Sequence, residues 1–143
     1  MKKIGILGST GSVGTQALDI ISEYSQNFEL VFISGHTNIK KLLTQKEKFN
    51  PKHVCISDDN TYSEFNKDVP AKNISGGYNA LLELCSMDVD IVLNAISGYK
   101  GLYLSVELLK NNIDIALSNK ESIVQAGSIL TKLAKENNVN IFP

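Results

Sequence analysis

Arginine is missing from this chain: all 14 basic residues among its 143 are lysines. That absence removes the planar, bidentate clamp that usually grips phosphate or carboxylate. Any bound phosphate must be held by lysine, hydroxyls or backbone N–H groups. An excess of one charge is also lacking. The net charge is −1, so no broad basic field draws in nucleic acid. No apolar run approaches the ~18 residues of a membrane span. The first apolar run begins almost at Met1, which predicts no signal or transit peptide and a cytoplasmic protein. Cysteine is scarce. Cys55 sits in a strand-like run and Cys85 in a helix-like one, and both are expected as reduced, buried thiols rather than a disulfide or a metal pair. No low-complexity linker or internal repeat divides the chain.

What is present is 43% hydrophobic residues, enough for one domain, residues 1–143, with a real core. Short runs rich in Ile and Val alternate with helical patterns. The predicted strands are Ile4–Leu7, Leu30–Ile33, Val54–Ile56, Ile91–Leu93, Ile113–Leu117 and Val139–Phe142. They lack strict polar alternation, which suits parallel strands covered on both faces.

Five helices are predicted between them. Ser12–Tyr24 places Val13, Ala17, Ile20, Ile21 and Tyr24 on one face. Asn38–Phe49 turns Ile39, Leu42, Leu43 and Phe49 inward, with Asn38 as N-cap and Pro51 past its end. Tyr78–Ser86 uses Leu81, Leu84 and Cys85. Leu102–Lys110 follows Gly101 and stops at Asn111-Asn112. Ile123–Asn137 has an inner stripe of Ile123, Ala126, Gly127, Leu130, Leu133 and Ala134. Ser57–Gly77 is the least regular stretch, predicted as a short helix around Thr61–Phe65 and a loop crossing. Together these elements predict an α/β protein with a doubly wound, mostly parallel sheet ordered 3-2-1-4-5-6, the NAD(P)-binding Rossmann fold.

The motif that organises the chain is Gly8-Ser9-Thr10-Gly11-Ser12-Val13-Gly14. It joins the first strand to the first helix, where a nucleotide pyrophosphate sits in such folds. The spacing is G-x-x-G-x-x-G rather than the usual G-x-G-x-x-G. Gly8 permits the turn, Gly11 permits close approach of a phosphate, and Gly14 permits helix packing. Thr10 and Ser12 add hydroxyl donors. The alternative is a tight turn with no ligand.

The second strand ends Ser34-Gly35-His36-Thr37-Asn38. In an NAD-binding unit an acid about 20 residues after the glycines holds the ribose diol. No acid occurs between Glu29 and Glu47, which favours NADP, because a carboxylate repels a 2′-phosphate. His36, Thr37, Asn38, Lys40 and Lys41 are the donors and charges at hand; otherwise they form a polar turn ahead of a helix. The fourth predicted strand ends in Asn94 and Ser97, either ligand contacts or ordinary turn chemistry. The fifth ends Ser118-Asn119-Lys120-Glu121-Ser122. Asn119 or Ser118 suits a helix cap, and Glu121 suits a helix N-terminus. Lys120 opposes the helix dipole there, which points to a role with an anionic substrate. No metal-site spacing and no nucleophile–base pattern is present. Asp58-Asp59 is taken as a turn and His53 as a surface residue.

Two stretches together resemble a known family. The glycine motif and Ala116-Leu117-Ser118-Asn119-Lys120-Glu121-Ser122-Ile123-Val124 are similar to the corresponding motifs of 1-deoxy-D-xylulose 5-phosphate reductoisomerase, the second of them L-A-N-K-E-S-[LI]-V, with Ser118 in place of Ala. The glycine motif is shared with many dehydrogenases; the second is much more specific. Ile141-Phe142-Pro143 also looks like the start of the family's next motif, which continues Val-Asp-Ser-Glu-His. The resemblance covers the whole chain but only the family's N-terminal cofactor domain. It implies NADPH-dependent isomerisation and reduction of 1-deoxy-D-xylulose 5-phosphate to 2-C-methyl-D-erythritol 4-phosphate, in non-mevalonate isoprenoid synthesis. It implies that Thr10, Gly11, Ser12 and Val13 bind NADPH, and that Gly35, His36, Thr37 and Asn38 surround its adenosine 2′-phosphate end. It further implies that Asn119 and Glu121 contact NADPH and that Lys120 contacts the substrate, a phosphorylated sugar. A divalent metal, Mg²⁺ or Mn²⁺, and a homodimer are implied for the whole enzyme. The metal ligands would lie in the Asp-Ser-Glu after Pro143. Residues 1–143 are therefore expected to hold no metal ligand and no catalytic residue, and to be inactive alone.

Two other classes compete. A semialdehyde or acyl-phosphate reductase has a similar glycine loop but needs a nucleophilic cysteine at a strand end or helix start. Neither Cys55 nor Cys85 stands at such a place. A non-catalytic NAD(P)-sensing module is the other.

Overall fold

The computed structural model describes the backbone of residues 1–68, 72–118 and 120–143, and the side chains of residues 1–67, 72–118 and 126–143. The elements run β1 (Lys2–Leu7), α1 (Ser12–Glu23), β2 (Phe28–Gly35), α2 (Ile39–Phe49), β3 (His53–Ile56), α3 (Asp59–Asp68) and β4 (Ile74–Gly76). They continue with α4 (Tyr78–Leu84), β5 (Ile91–Asn94), α5 (Gly98–Lys110), β6 (Asp114–Leu117), α6 (Lys120–Asn137) and β7 (Ile141–Phe142). The described strands form one sheet ordered β4-β3-β2-β1-β5-β6-β7. Every ladder is parallel.

The expected order of six strands is present, with one addition. Residues 74–76, expected within a loop crossing, form the edge strand β4, paired with β3. Three residues, Ile-Ser-Gly, are too short to show a period; pairing with β3 makes them a strand. The helix expected at Thr61–Phe65 is longer, running Asp59–Asp68. Helix α5 begins at Gly98, four residues before the expected start. Gly98 opens it with φ +77°, a backbone that disfavours side chains. A Cβ at Gly101 would strike the Ile96 carbonyl oxygen, and burial of Leu104, Leu108 and Leu109 holds the segment in place.

Two apolar layers flank the sheet. On one side Leu18 of α1 and Leu42 of α2 pack with Ile6, Ile33, Val54 and Ile56. On the other side α4, α5 and α6 bring Leu84, Leu104, Leu108 and Leu130 against Leu7, Val92 and Ile115. Helix α1 is partly rotated from its expected setting: Ala17 and Ile21 pack against the core as expected, but the rest of the face has turned. Gly14 and Leu18 are its buried residues, while Val13, Ile20 and Tyr24 are 41%, 55% and 56% exposed. Gly14 causes this. A Cβ there would strike the Gly8 carbonyl oxygen and the Ser9 Cα, so the helix turns this position onto the loop. Glycine carries no apolar side chain for a periodicity to register.

Part of one sheet face lacks a helix among the described residues. Helices α1 and α2 cover β1 to β3, and the crossovers α5 and α6 lie on the opposite side. Ile91 and Leu93 of β5 and Ala116 of β6 therefore line an open apolar groove of about 240 Å³, with Ile20 at its wall. Phe142 of β7 is exposed beyond it. Among the described residues, no helix is long and apolar enough to cross a membrane.

Candidate functional site

Parallel pairing puts the carboxyl ends of the strands on one edge, and a cleft of about 320 Å³ opens there. Its walls are the glycine loop (Gly8, Thr10), the tip of β2 (Ser34, Gly35, His36), Ser57 after β3, Tyr78 and Leu81 of α4, and the approach to α5 (Ile96, Ser97, Tyr99, Lys100). This is the crevice where strand order reverses between β1 and β5, the usual ligand position in an open α/β sheet.

The glycine loop has three glycines with three different reasons. Gly8 has φ +82°, a left-handed backbone that disfavours side chains. Gly14 is forced by contact with the loop, as above. Gly11 is neither. Its φ is −74°, and a Cβ there would meet no neighbour nearer than the Gly8 oxygen at 3.8 Å. The protein leaves that space open at the mouth of α1. No side chain caps α1, so its first backbone N–H groups are available to an anion, with the helix dipole behind them.

The loop is tied down from below. The Gly8 N–H donates to Ser34 Oγ at 3.1 Å, and the Ser9 N–H donates to the Ser34 carbonyl at 2.8 Å. The Ser9 hydroxyl donates to Gln45 Oε1 at 2.8 Å, and Gln45 Nε2 donates back to the Ser9 carbonyl at 2.8 Å. Ser9, Ser34 and Gln45 are 0%, 1% and 5% exposed. Sequence reasoning missed Gln45. The available signal was a polar residue three positions after Leu42 on the inward stripe of α2.

At the tip of β2, Gly35 is buried and His36 is exposed. The Ser57 hydroxyl donates to the Gly35 carbonyl at 3.2 Å. His36 Nδ1 lies 3.0 Å from Ser57 Oγ, so with that hydrogen spent, Nδ1–H is the donor. His36 Nε2 lies 3.8 Å from Asp58 Oδ1. The Thr61 hydroxyl and N–H donate to Asp58 Oδ2 at 2.6 and 3.0 Å. These bonds hold the Asp58 carboxyl below the usual carboxylate range, helped by His36 and Lys100. Asp58 thus caps α3 and Asp59 begins it, where a turn was expected, and Asp58 also brings a carboxylate to the end of β2. The absence of an acid between Glu29 and Glu47 concerned one strand only; the neighbouring strand supplies one.

Thr10 lines the cleft; Ser12 and Val13 begin α1 and are exposed. Thr37 and Asn38 are exposed, and Asn38 Oδ1 caps α2 by accepting from the Lys41 N–H at 3.2 Å. Asn94 is consumed internally: Nδ2 donates to the Gly101 carbonyl and to Ser105 Oγ, each at 2.8 Å, and Oδ1 accepts from the Ile96 N–H at 3.2 Å. Ser97 lines the cleft, and the Ser118 hydroxyl donates to the Asn94 carbonyl at 3.3 Å. Asn119 and the side chains of Lys120 and Glu121 lie outside the described residues. Lys40 and Lys41, offered as charge for the adenosine end, are not among the described cleft-lining residues; Lys100 is. Both cysteines are free and buried. Burial pushes the Cys55 thiol up to about 11 and the Cys85 thiol up to about 12. Neither is a thiolate nucleophile at neutral pH. Among the described residues no three His, Cys, Asp or Glu side chains cluster to hold a metal ion.

A parallel sheet with a strand–glycine-loop–helix start, opening on a crevice at the strand-order reversal, defines a Rossmann-type dinucleotide-binding fold. Residues 4–127 match the model of 1-deoxy-D-xylulose 5-phosphate reductoisomerase, and the chain belongs to that family. It is 43% identical to the 1-deoxy-D-xylulose 5-phosphate reductoisomerase of Clostridium kluyveri, across all of this chain and 38% of that protein. The corresponding enzyme of Zymomonas mobilis, solved in complex with NADPH, superposes with a TM-score of 0.89 at 27% identity, over 99% of this chain and 38% of that one. A further reductoisomerase structure, in complex with NADPH, fosmidomycin and magnesium, gives a TM-score of 0.86 at 33% identity, over 99% and 36% of the two chains. The chain therefore spans a little over a third of the length of the relatives it matches.

Proposed function

We propose that residues 1–143 are the NADPH-holding domain of a reductoisomerase that converts 1-deoxy-D-xylulose 5-phosphate to 2-C-methyl-D-erythritol 4-phosphate. The observation that carries the cofactor reading is the open space at Gly11, beside the uncapped start of α1. No described protein atom requires glycine there, whereas a pyrophosphate oxygen approaching the backbone does. The NADPH present in the Zymomonas mobilis relative fits the same chemistry.

In this reading Thr10, Gly11, Ser12 and Val13 cradle the pyrophosphate. Gly35, His36, Thr37 and Asn38 surround the adenosine 2′-phosphate. Asn119 and Glu121 contact the cofactor farther along the sheet edge, and Lys120 meets the phosphorylated sugar. NADPH supplies the hydride for the reduction. The described residues offer no ligand set for Mg²⁺ or Mn²⁺, so no step through a metal is assigned to them. We place the whole enzyme in the cytoplasm as a homodimer.

Calorimetric titration with NADPH and NADH tests the cofactor reading. Binding of NADPH, tighter than NADH, is the expected result; equal binding, or none at saturating cofactor, defeats it. A coupled assay with 1-deoxy-D-xylulose 5-phosphate is expected to give no turnover by the 143-residue chain, and measurable activity would defeat the assignment of chemistry to residues outside it.

A further inference from the structure

The adenosine end of the cleft presents a charge problem. NADPH brings a 2′-phosphate to the tip of β2, yet Asp58 stands 3.8 Å from His36 there. Bonding by Thr61 keeps that carboxylate ionised. A carboxylate at this end favours the free ribose diol of NADH and opposes a phosphate. With no arginine in the chain, something else must reverse the field.

Lys100 is placed to do so. It and His36 are the only basic side chains among the described cleft-lining residues. Its ammonium lies 5.9 Å from the Tyr78 ring centroid and makes no ion pair among the described residues. It sits in the first turn of α5, where a cation opposes the helix dipole. Helix stability therefore does not explain a lysine at this position. Tyr78 supports the cation without neutralising it.

We propose that Lys100 is a specificity-determining residue that sets the preference for NADPH over NADH, its ammonium offsetting Asp58 and drawing the 2′-phosphate to the cleft. This rests on the NADPH reading above. The same charge does little for NADH, whose diol can use Asp58 directly.

The test titrates the protein and its Lys100→Met and Lys100→Arg variants with NADPH, NADH, 2′,5′-ADP and 5′-ADP. Lys100→Met is expected to weaken NADPH and 2′,5′-ADP about tenfold, the effect of one well-placed charge. NADH and 5′-ADP should change by less than about twofold. Lys100→Arg should keep the preference, and added salt should erode it. Equal weakening of both cofactors, or none of either, overturns the role of Lys100 while leaving the NADPH reading intact. A wild-type protein that binds no NADPH overturns both.

Discussion

Ser9 and Gln45 exchange two buried hydrogen bonds, each 2.8 Å, between the glycine loop and α2. The Gln45 amide accepts the Ser9 hydroxyl and donates to the Ser9 carbonyl, so one side chain satisfies both groups. Replacing Gln45 by Met keeps the volume and removes both partners. Two weaker contacts remain, from the Ser9 hydroxyl to the Ser34 carbonyl at 3.3 Å and from the Thr15 hydroxyl to the Ser9 carbonyl at 3.4 Å. The expected cost is about 1–2 kcal/mol in urea unfolding. NADPH and NADH should weaken together, because the loop serves the pyrophosphate that both share. Selective loss of NADPH would show that Gln45 acts elsewhere.

Gly11 and Gly14 should respond to alanine in different ways. Gly14→Ala drives a Cβ into Gly8 and Ser9, and overpacking of this kind costs about 1–3 kcal/mol. Gly11→Ala meets no protein atom closer than 3.8 Å, but alanine is a poorer N-cap than glycine for α1, so it should cost only about 0.5–1 kcal/mol. It should also weaken NADPH. Unchanged binding in Gly11→Ala would mean that the loop has no phosphate.

The rotation of α1 is checked by two substitutions two residues apart. Leu18 is fully buried, and Leu18→Ala should cost about 2–5 kcal/mol by chemical denaturation. Ile20→Ala, at a position more than half exposed, should stay within about 0.5 kcal/mol. The reverse order would restore the face that periodicity alone predicts.

Asp58 gives a pH signature. Bonding from Thr61 lowers its pKa in the folded protein. Such a carboxylate contributes stability that is complete above its unfolded value, about 3.9, and is lost as pH falls through the folded one. Asp58→Ala should therefore melt below wild type at pH 6. The gap should narrow as pH drops beneath about 4. A gap independent of pH would remove the carboxylate charge from the account.

The central strands and the glycine loop were legible because both are local, and the strand order followed from the doubly wound class they define. Ile- and Val-rich runs mark central strands, and three glycines after the first of them mark the turn. What escaped the sequence is set by neighbours in space. Residues 74–76 became a strand only beside β3. Gly14 determined which side of α1 is buried through an atom it lacks. Asp58 joined His36 from another strand, which no scan along β2 can show. Asn94, read as either ligand contact or turn, proved to be filled by Gly101, Ser105 and Ile96. Lys100 went unremarked because its meaning depends on Tyr78 and Asp58, both distant in sequence.

The apolar groove along Ile91, Leu93 and Ala116, with Phe142 beyond it, changes how this protein should be handled. Dyes that brighten in nonpolar surroundings report exposed hydrocarbon whether or not a chain has unfolded. The folded chain should light such a dye at room temperature, and a dye-based melting curve would begin high and flatten. Circular dichroism, which follows backbone order, is the sounder thermometer. Hydrophobic-interaction resin should retain the native protein more firmly than its composition suggests.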